Sequence, residues 1–192
     1  MKITASLFTC VLFATNQAFA TTSSAESESV QNIFRAEPQA CGDPRLLQEF
    51  HRLWNGNATV TNHFYTATPG EESASKSVGY VNEGVTGWIW PPQVPQQPQT
   101  VPFFRLWNEA LNNSFYTASL SERNAYLTSH GYIDEGFAGY VYLNDACGGK
   151  PLWRMWSQAN RDSFYTMSTA ERDRYASVGY ITIDIVAYLI RY

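Results

Sequence analysis

The sequence predicts a mainly β domain in which three copies of one unit, each with a short helix, close into a compact, pseudo-threefold, trefoil-like arrangement. The triplet Phe-Tyr-Thr begins at Phe64, Phe115 and Phe164, so the copies are offset by 51 and 49 residues. A unit of this length with a few short strands buries too little surface to fold alone, so the copies must share one core. A small three-bladed, propeller-like arrangement is the alternative closure. An open solenoid would leave two uncapped ends.

The order of segments along the chain predicts one globular domain over residues 41–192. Its repeats lie at about residues 46–90, 101–142 and 151–192, and a Pro/Gln-rich linker at residues 91–102 is expected to be extended and polyproline-like. Residues 21–40 are rich in Ser and Glu, which predicts a disordered leader. Residues 1–20 combine a short apolar stretch with the small-residue site Ala18-Phe19-Ala20, which is typical of a secretory signal peptide. We therefore expect a secreted, extracellular protein.

Each repeat is predicted to begin with a β-hairpin. The first strands cover residues 50–55, 103–108 and 152–157, and the second strand carries Phe-Tyr-Thr. Because side chains alternate along a strand, an Arg and a Trp two residues later share one face in each copy.

A helix and a final strand segment follow the hairpin. The pattern Ser/Thr-x-x-Glu is a helix-capping box, and a glycine stops each predicted helix. The capping boxes and the glycines are Thr68 to Glu71 with Gly79, Ser119 to Glu122 with Gly131, and Ser168 to Glu171 with Gly179. The last segment is predicted as two strands broken at Glu-Gly, a pair that Ile183-Asp184 replaces in repeat 3. The predicted unit is thus β-β-α-β-β.

Cysteine usage predicts one disulfide. Cys10 lies in the predicted signal peptide, so Cys41 and Cys147 remain as an even pair in an oxidising compartment. The sequons at Asn57 and Asn112 predict N-glycosylated loops in a secreted protein.

Charge and hydropathy narrow the range of partners. The formal net charge is −4 and there are no basic runs, which argues against nucleic acid or an anionic membrane as partner. No segment approaches the ~20 apolar residues of a membrane-spanning helix. We expect a monomer without a cofactor. We expect no metal site, because His51, His63 and His130 occupy non-equivalent positions in the repeats.

The motif order resembles the tandem repeats of secreted fungal and bacterial proteins that form a domain family of unknown function. The shared pattern is Arg-x-Trp/Tyr-Asn, Phe-Tyr-Thr, Ser/Thr-x-x-Glu-Arg and Gly-Tyr-x-x-Glu-Gly-x-x-Gly-Tyr, and it covers the chain from about Leu46 onward. The chain departs from the pattern at Glu72, where the other copies have Arg, and at Ile183-Asp184. The resemblance implies a fold and carries no catalytic residues.

The aromatic residues offer the candidate binding groups. Packing in the core is the first interpretation of most of them, and stacking of Arg on Trp within the fold is another. A Trp face with a neighbouring Arg and Tyr could also bind a sugar ring and its hydroxyl groups. The candidate ligand-binding residues are Arg52, Trp54, Tyr65, Arg105, Trp107, Tyr116, Arg154, Trp156 and Tyr165.

These residues favour a secreted, non-enzymatic, lectin-like module with up to three related sites for a glycan or cell-wall polysaccharide. One alternative is a glycoside hydrolase or another wall-active enzyme that uses Glu83, Asp134 or Glu135. The other alternative is a secreted protein-binding effector or inhibitor. No Gly-x-Ser-x-Gly elbow or phosphate-binding glycine loop supports another enzyme class.

Overall fold

The computed structural model describes residues 40–57 and 60–192. The predicted signal peptide and all but the last residue of the predicted leader lie outside this range. The first sequon also lies outside it, since Ala58, Thr59 and the side chain of Asn57 are not described.

The described chain is mainly β, with a short 3-10 helix at Pro44–Leu46, nine strands and three α-helices. The strands are β1 Gln48–Asn57, β2 Val60–Thr66, β3 Val81–Ile89, β4 Thr100–Asn108, β5 Asn113–Thr117, β6 Ile133–Tyr142, β7 Lys150–Ser157, β8 Asp162–Thr166 and β9 Ile181–Leu189. The α-helices are α1 Pro69–Ser77, α2 Leu120–Ser129 and α3 Thr169–Ala176. Each α-helix lies between the second and third strands of a repeat.

The strands form two antiparallel sheets, with orders β2-β1-β3 and β5-β4-β6-β9-β7-β8. Within each repeat the first strand lies between the second and the third. The single pair Tyr142 with Tyr188 joins the units of repeats 2 and 3, and the bridges Trp88–Ile190 and Trp90–Tyr140 link repeat 1 to both of them.

The prediction of two strands after the helix is wrong, because β3, β6 and β9 are continuous. The Glu-Gly pair forms an irregularity within the strand: Gly84 and Gly136 have φ values of 109° and 84°. The pairing register of β3 with β1 shifts at this place, as expected for a β-bulge, which bends a strand without ending it. The observed unit is therefore β-β-α-β.

The predicted helix signals are largely confirmed. Ser119 and Ser168 accept hydrogen bonds from the main-chain N–H groups of Glu122 and Glu171, whereas Thr68 makes no such side-chain bond. The three stop glycines have φ values of 99°, 70° and 97°, in the left-handed region where a side chain is unfavourable.

The linker is not extended as predicted. Residues 91–99 form turns, with hydrogen bonds from Val94 N–H to Pro91 and from Thr100 N–H to Gln97. The Gln97 side chain accepts a hydrogen bond from the main chain of Asp43, and the Gln96 and Gln97 amides donate to the main-chain oxygens of Thr100 and Pro95. The linker thus packs on the N-terminal lead-in.

One shared core takes equivalent residues from all three repeats. Phe50, Phe103 and Leu152 are fully buried, one from the first strand of each repeat. The third strands add Ile89, Val141 and Leu189, each 1% exposed. All six belong to one cluster with the tyrosines of the Phe-Tyr-Thr triplets.

The predicted disulfide Cys41–Cys147 is present and spans a sequence separation of 106. In the chain-entropy model, a loop of this length makes the bridge worth about 4–5 kcal/mol. We expect the Cys41→Ser/Cys147→Ser protein to lose stability of this order in urea unfolding at equilibrium. A loss below about 1 kcal/mol would show that the lead-in is held by its other contacts.

Candidate functional site

The candidate tyrosines lie in the core. Tyr65, Tyr116 and Tyr165 are at most 1% exposed, and their rings contact one another edge to face at 5.4–5.5 Å. Their hydroxyl groups donate in a cycle, Tyr65 to the main-chain oxygen of Tyr165, Tyr165 to that of Tyr116, and Tyr116 to that of Tyr65, at 2.9–3.1 Å. Each hydroxyl also accepts a main-chain N–H at 2.8 Å.

Burial raises the pKa of all three phenols above its ordinary value, so the groups stay neutral. These tyrosines join the repeats and are not accessible to a ligand.

The candidate arginines are bound by carboxylates. We call the contact between neighbouring repeats a seam, and an Arg of one repeat crosses each seam to a helix Glu of the preceding repeat. The seam pairs are Arg105 with Glu71 (seam 1–2), Arg154 with Glu122 (seam 2–3) and Arg52 with Glu171 (seam 3–1), each with two hydrogen bonds of 2.8–3.0 Å. The Glu side chain of each capping box thus binds an arginine of the neighbouring repeat.

Each of these arginines has a second carboxylate and an aromatic neighbour. The second carboxylates are Glu83 for Arg52, Glu135 for Arg105 and Asp184 for Arg154. The guanidinium groups lie 4.8–5.1 Å from the rings of Phe164, Phe64 and Phe115 of the preceding repeat. Burial alone would lower the arginine pKa values, but the carboxylates outweigh it and raise them.

Asp184 explains how repeat 3 departs from the sequence pattern. In β9 the Glu-Gly pair is missing, but Asp184 lies opposite Arg154 and accepts two hydrogen bonds from it, at 3.0 and 2.8 Å. The carboxylate has moved along the strand while the ion pair is retained.

The carboxylates of the hydrolase alternative are all paired with arginines. Glu83 contacts Arg52 at 2.8 Å, Glu135 contacts Arg105 at 3.1 Å, and Asp134 contacts Arg123. Burial opposes ionisation of Glu83 and Asp134, but their partners lower the pKa of both. A general acid must hold its proton near neutral pH, which requires a raised pKa. Glu83 and Asp134 therefore lack the environment of a glycosidase acid.

Three tryptophans of the candidate set reach the surface, and we call Trp54, Trp107 and Trp156 the rim tryptophans. Trp54 is 38% exposed, and the other two are half-buried. Each is paired across strands with an exposed aliphatic residue, namely Val81, Ile133 or Ile181. Trp107 borders a cavity of about 420 Å³ together with Ile133 and Gly131.

Seam 3–1 carries a buried ion pair that sequence reasoning missed. The Nδ1–H of His63 donates to Asp162 at 2.6 Å, the Asp162 carboxylate also accepts from the Tyr180 hydroxyl, and Glu83 lies 3.5 Å from Nε2 of His63. His63 is 2% exposed and Asp162 is fully buried. Burial would lower the pKa of His63, but the hydrogen bond and charge of Asp162 outweigh it and raise this pKa. The equivalent pairs, Asn62 with Ser114 and Asn113 with Ser163, are neutral.

Neither a metal-ligand cluster nor a membrane-spanning helix is found in residues 40–57 and 60–192. Within these residues, no group of three or more His, Cys, Asp or Glu side chains is placed to hold a metal ion. Over the same residues, no helix has the length and apolar character needed to cross a membrane. Asn112, the second predicted glycosylation site, lies in the turn between β4 and β5, and its side-chain nitrogen is buried without a partner among the described residues.

The chain matches a protein family whose function is unknown. The family model described as Domain of unknown function (DUF5648) matches residues 7–93 and residues 49–190. Two overlapping matches are consistent with a repeated unit. No curated protein and no solved structure matches the chain. The second match alone covers well over half of the length of the chain, so the chain belongs to the DUF5648 family.

Proposed function

We propose that this protein is a secreted, non-enzymatic recognition module that binds carbohydrate through the rim tryptophans. One observation carries the proposal: of the nine candidate residues, the six arginines and tyrosines are used by the fold, whereas the three tryptophans reach the surface at equivalent positions. An indole face beside an aliphatic side chain is a flat apolar surface, which suits the C–H face of a sugar ring.

The proposal includes a closed, pseudo-threefold arrangement of the repeats. In support, the cyclic hydrogen bonds of the tyrosines and the arginine–glutamate pairs run from repeat 1 to repeat 2, from 2 to 3 and from 3 back to 1. Such closure would display the rim tryptophans at regular intervals. Three weak sites on one rigid body gain avidity on a polysaccharide that they engage together.

Secretion is part of the proposal. The predicted signal peptide and the disulfide support it, because structural disulfides persist mainly in oxidising compartments.

Retention on insoluble chitin, glucan and cellulose tests this function. We expect Trp107→Ala to reduce retention about three- to tenfold, since it removes one of three aromatic contacts while the fold is kept. Leu143→Ala is the matched control, because it also removes an exposed apolar side chain, 57% accessible, from a loop. Circular dichroism of both variants must match that of the unchanged protein. Equal retention of a folded Trp107→Ala protein would remove Trp107 from the site.

A further inference from the structure

Seam 2–3 contains a cavity of about 290 Å³. Repeat 2 supplies aromatic walls from Phe115, Tyr126 and Tyr132, and repeat 3 supplies Trp156 and Met155. The polar side chains that line it include Ser163, His130 and Arg154. The cavity is at the small end of the ~300–1,000 Å³ range of ligand pockets, so its size suits a single ring.

The equivalent space of seam 3–1 is filled by a side chain of the protein itself. His63 stands where repeat 3 has Ser163, and its ring lies 4.9 Å from Phe164 and 6.1 Å from Tyr175. Phe164 and Tyr175 are the equivalents of Phe115 and Tyr126 in seam 2–3. A single ring with polar edge atoms therefore fits between these walls, and Ser163 leaves the place open.

Seam 1–2 lacks one of the walls. Its small residue is Ser114, but Ser75 stands at the position of Tyr126. Tyr126 stacks on Phe115 with ring centres 4.0 Å apart, and Phe64 has no such cover from Ser75. Among the three seams of the described chain, seam 2–3 combines a small residue with a complete aromatic wall.

The charges around the cavity disfavour an anionic ligand. The guanidinium of Arg154 is bound by Glu122 and by Asp184, so its local charge is more than balanced. The Ser163 hydroxyl accepts from Asn113 at 3.1 Å and keeps its own proton to donate. Apolar contacts from Leu111, Met155 and Ile183 line the rest. The lining suits a neutral ring that carries hydroxyl groups and an apolar substituent.

We propose that the seam 2–3 cavity binds one neutral pyranose ring bearing an acetamido group, as the terminal residue of a glycan. This assignment rests on the proposed carbohydrate-binding function and adds a pocket of defined ligand class to the open rim surfaces. The ring packs edge-on against the aromatic walls, as the His63 ring does in seam 3–1. The acetamido methyl group contacts the apolar lining, and Ser163 and His130 bind the polar edge.

Titration of the full chain with N-acetylglucosamine and with glucose, followed by tryptophan fluorescence and by saturation-transfer NMR, tests the assignment. We expect N-acetylglucosamine to bind at least about tenfold more tightly than glucose. The Asn113→Asp/Ser163→His protein copies the native pair of seam 3–1 and should fill the cavity, with at least a roughly tenfold loss of affinity. Leu143→Ala is the control and should leave this affinity within about twofold, because Leu143 is an exposed loop residue that does not line the cavity.

The outcomes separate this assignment from the proposed function. If the unchanged protein is retained on polysaccharide but does not bind N-acetylglucosamine, or binds it equally well after the cavity is filled, the pocket assignment is overturned and the rim sites stand. Binding of N-acetylglucosamine without retention on polysaccharide would support the pocket and contradict the rim sites. If the filled variant does not fold, Tyr126→Ser, which copies Ser75 of repeat 1, removes one wall and must weaken binding.

Discussion

Replacing Tyr116 by Phe is expected to lower the free energy of unfolding by about 2–4 kcal/mol. The substitution keeps the ring but removes the hydroxyl that donates to the main-chain oxygen of Tyr65 and accepts from its N–H. Both main-chain groups would then be buried without a partner, and such a group costs about 1–3 kcal/mol. Urea unfolding at equilibrium measures the change.

Tyr192→Phe is the control for this variant, because Tyr192 is 72% exposed. Its effect should stay within about 0.5 kcal/mol. Equal stabilities of the two variants would contradict the view that the tyrosine cycle holds the repeats together.

Replacing Asp162 by Ala should cost more, about 3–5 kcal/mol, since it removes one partner of a buried ion pair. His63 would lose the acceptor for its Nδ1–H and for its main-chain N–H, and the Tyr180 hydroxyl would lose its acceptor as well. The double variant His63→Ser/Asp162→Asn copies the neutral pairs of the other seams and should recover most of this loss. A double variant as unstable as Asp162→Ala would show that a neutral hydrogen-bonded pair cannot replace the charged pair in this seam.

The same pair predicts how stability depends on pH. The folded-state pKa of His63 lies above its value of about 6.5 in an unfolded chain. The contribution of protonated His63 is therefore fully present below about pH 6.5 and is lost as the pH rises through the higher folded-state value. Glu83 also faces this ring and is itself bound by Arg52, and both stay charged across that interval.

We expect the stability of the unchanged protein to fall relative to that of His63→Ser/Asp162→Asn as the pH is raised from about 6. Parallel stability curves for the two proteins would contradict the assignment of a protonated His63.

Much of the fold could be predicted because its signals are local and repeated. The capping serines, the stop glycines at 79, 131 and 179, and the pair Cys41 and Cys147 each follow from rules about neighbouring residues or the compartment. The continuity of β3 could not be predicted in this way. Glu83-Gly84 has the composition of a turn, and only its pairing with β1 shows that the glycine serves a bulge.

The roles of the candidate arginines and tyrosines depend on contacts between repeats, which strand alternation within one repeat does not reveal. Arg52 and Glu171 are 119 residues apart, and Tyr65 and Tyr165 are 100 apart. One signal could have located the His63–Asp162 pair. The triplets are preceded by Asn-His, Asn-Ser and Asp-Ser, so repeats 1 and 3 each depart from the neutral pattern once. Those two departures face each other across seam 3–1.

The charged pair lies in the seam that has no short covalent connection. Seams 1–2 and 2–3 join repeats that follow each other in the chain, whereas seam 3–1 joins repeats 1 and 3, which are not consecutive. The His63–Asp162 pair joins repeats 1 and 3, and the disulfide joins the segment before repeat 1 to the loop before repeat 3.

Binding to a broad glycan array tests the central claim most directly, with the unchanged protein compared to the Trp54→Ala/Trp107→Ala/Trp156→Ala protein. We predict that the unchanged protein binds a defined set of glycans and that the folded triple variant loses this set. Glycans that end in an acetamido sugar are lost with it, because Trp156 also lines the seam 2–3 cavity. No glycan bound by the unchanged protein, or the same set bound by both proteins, would contradict carbohydrate recognition by the rim tryptophans.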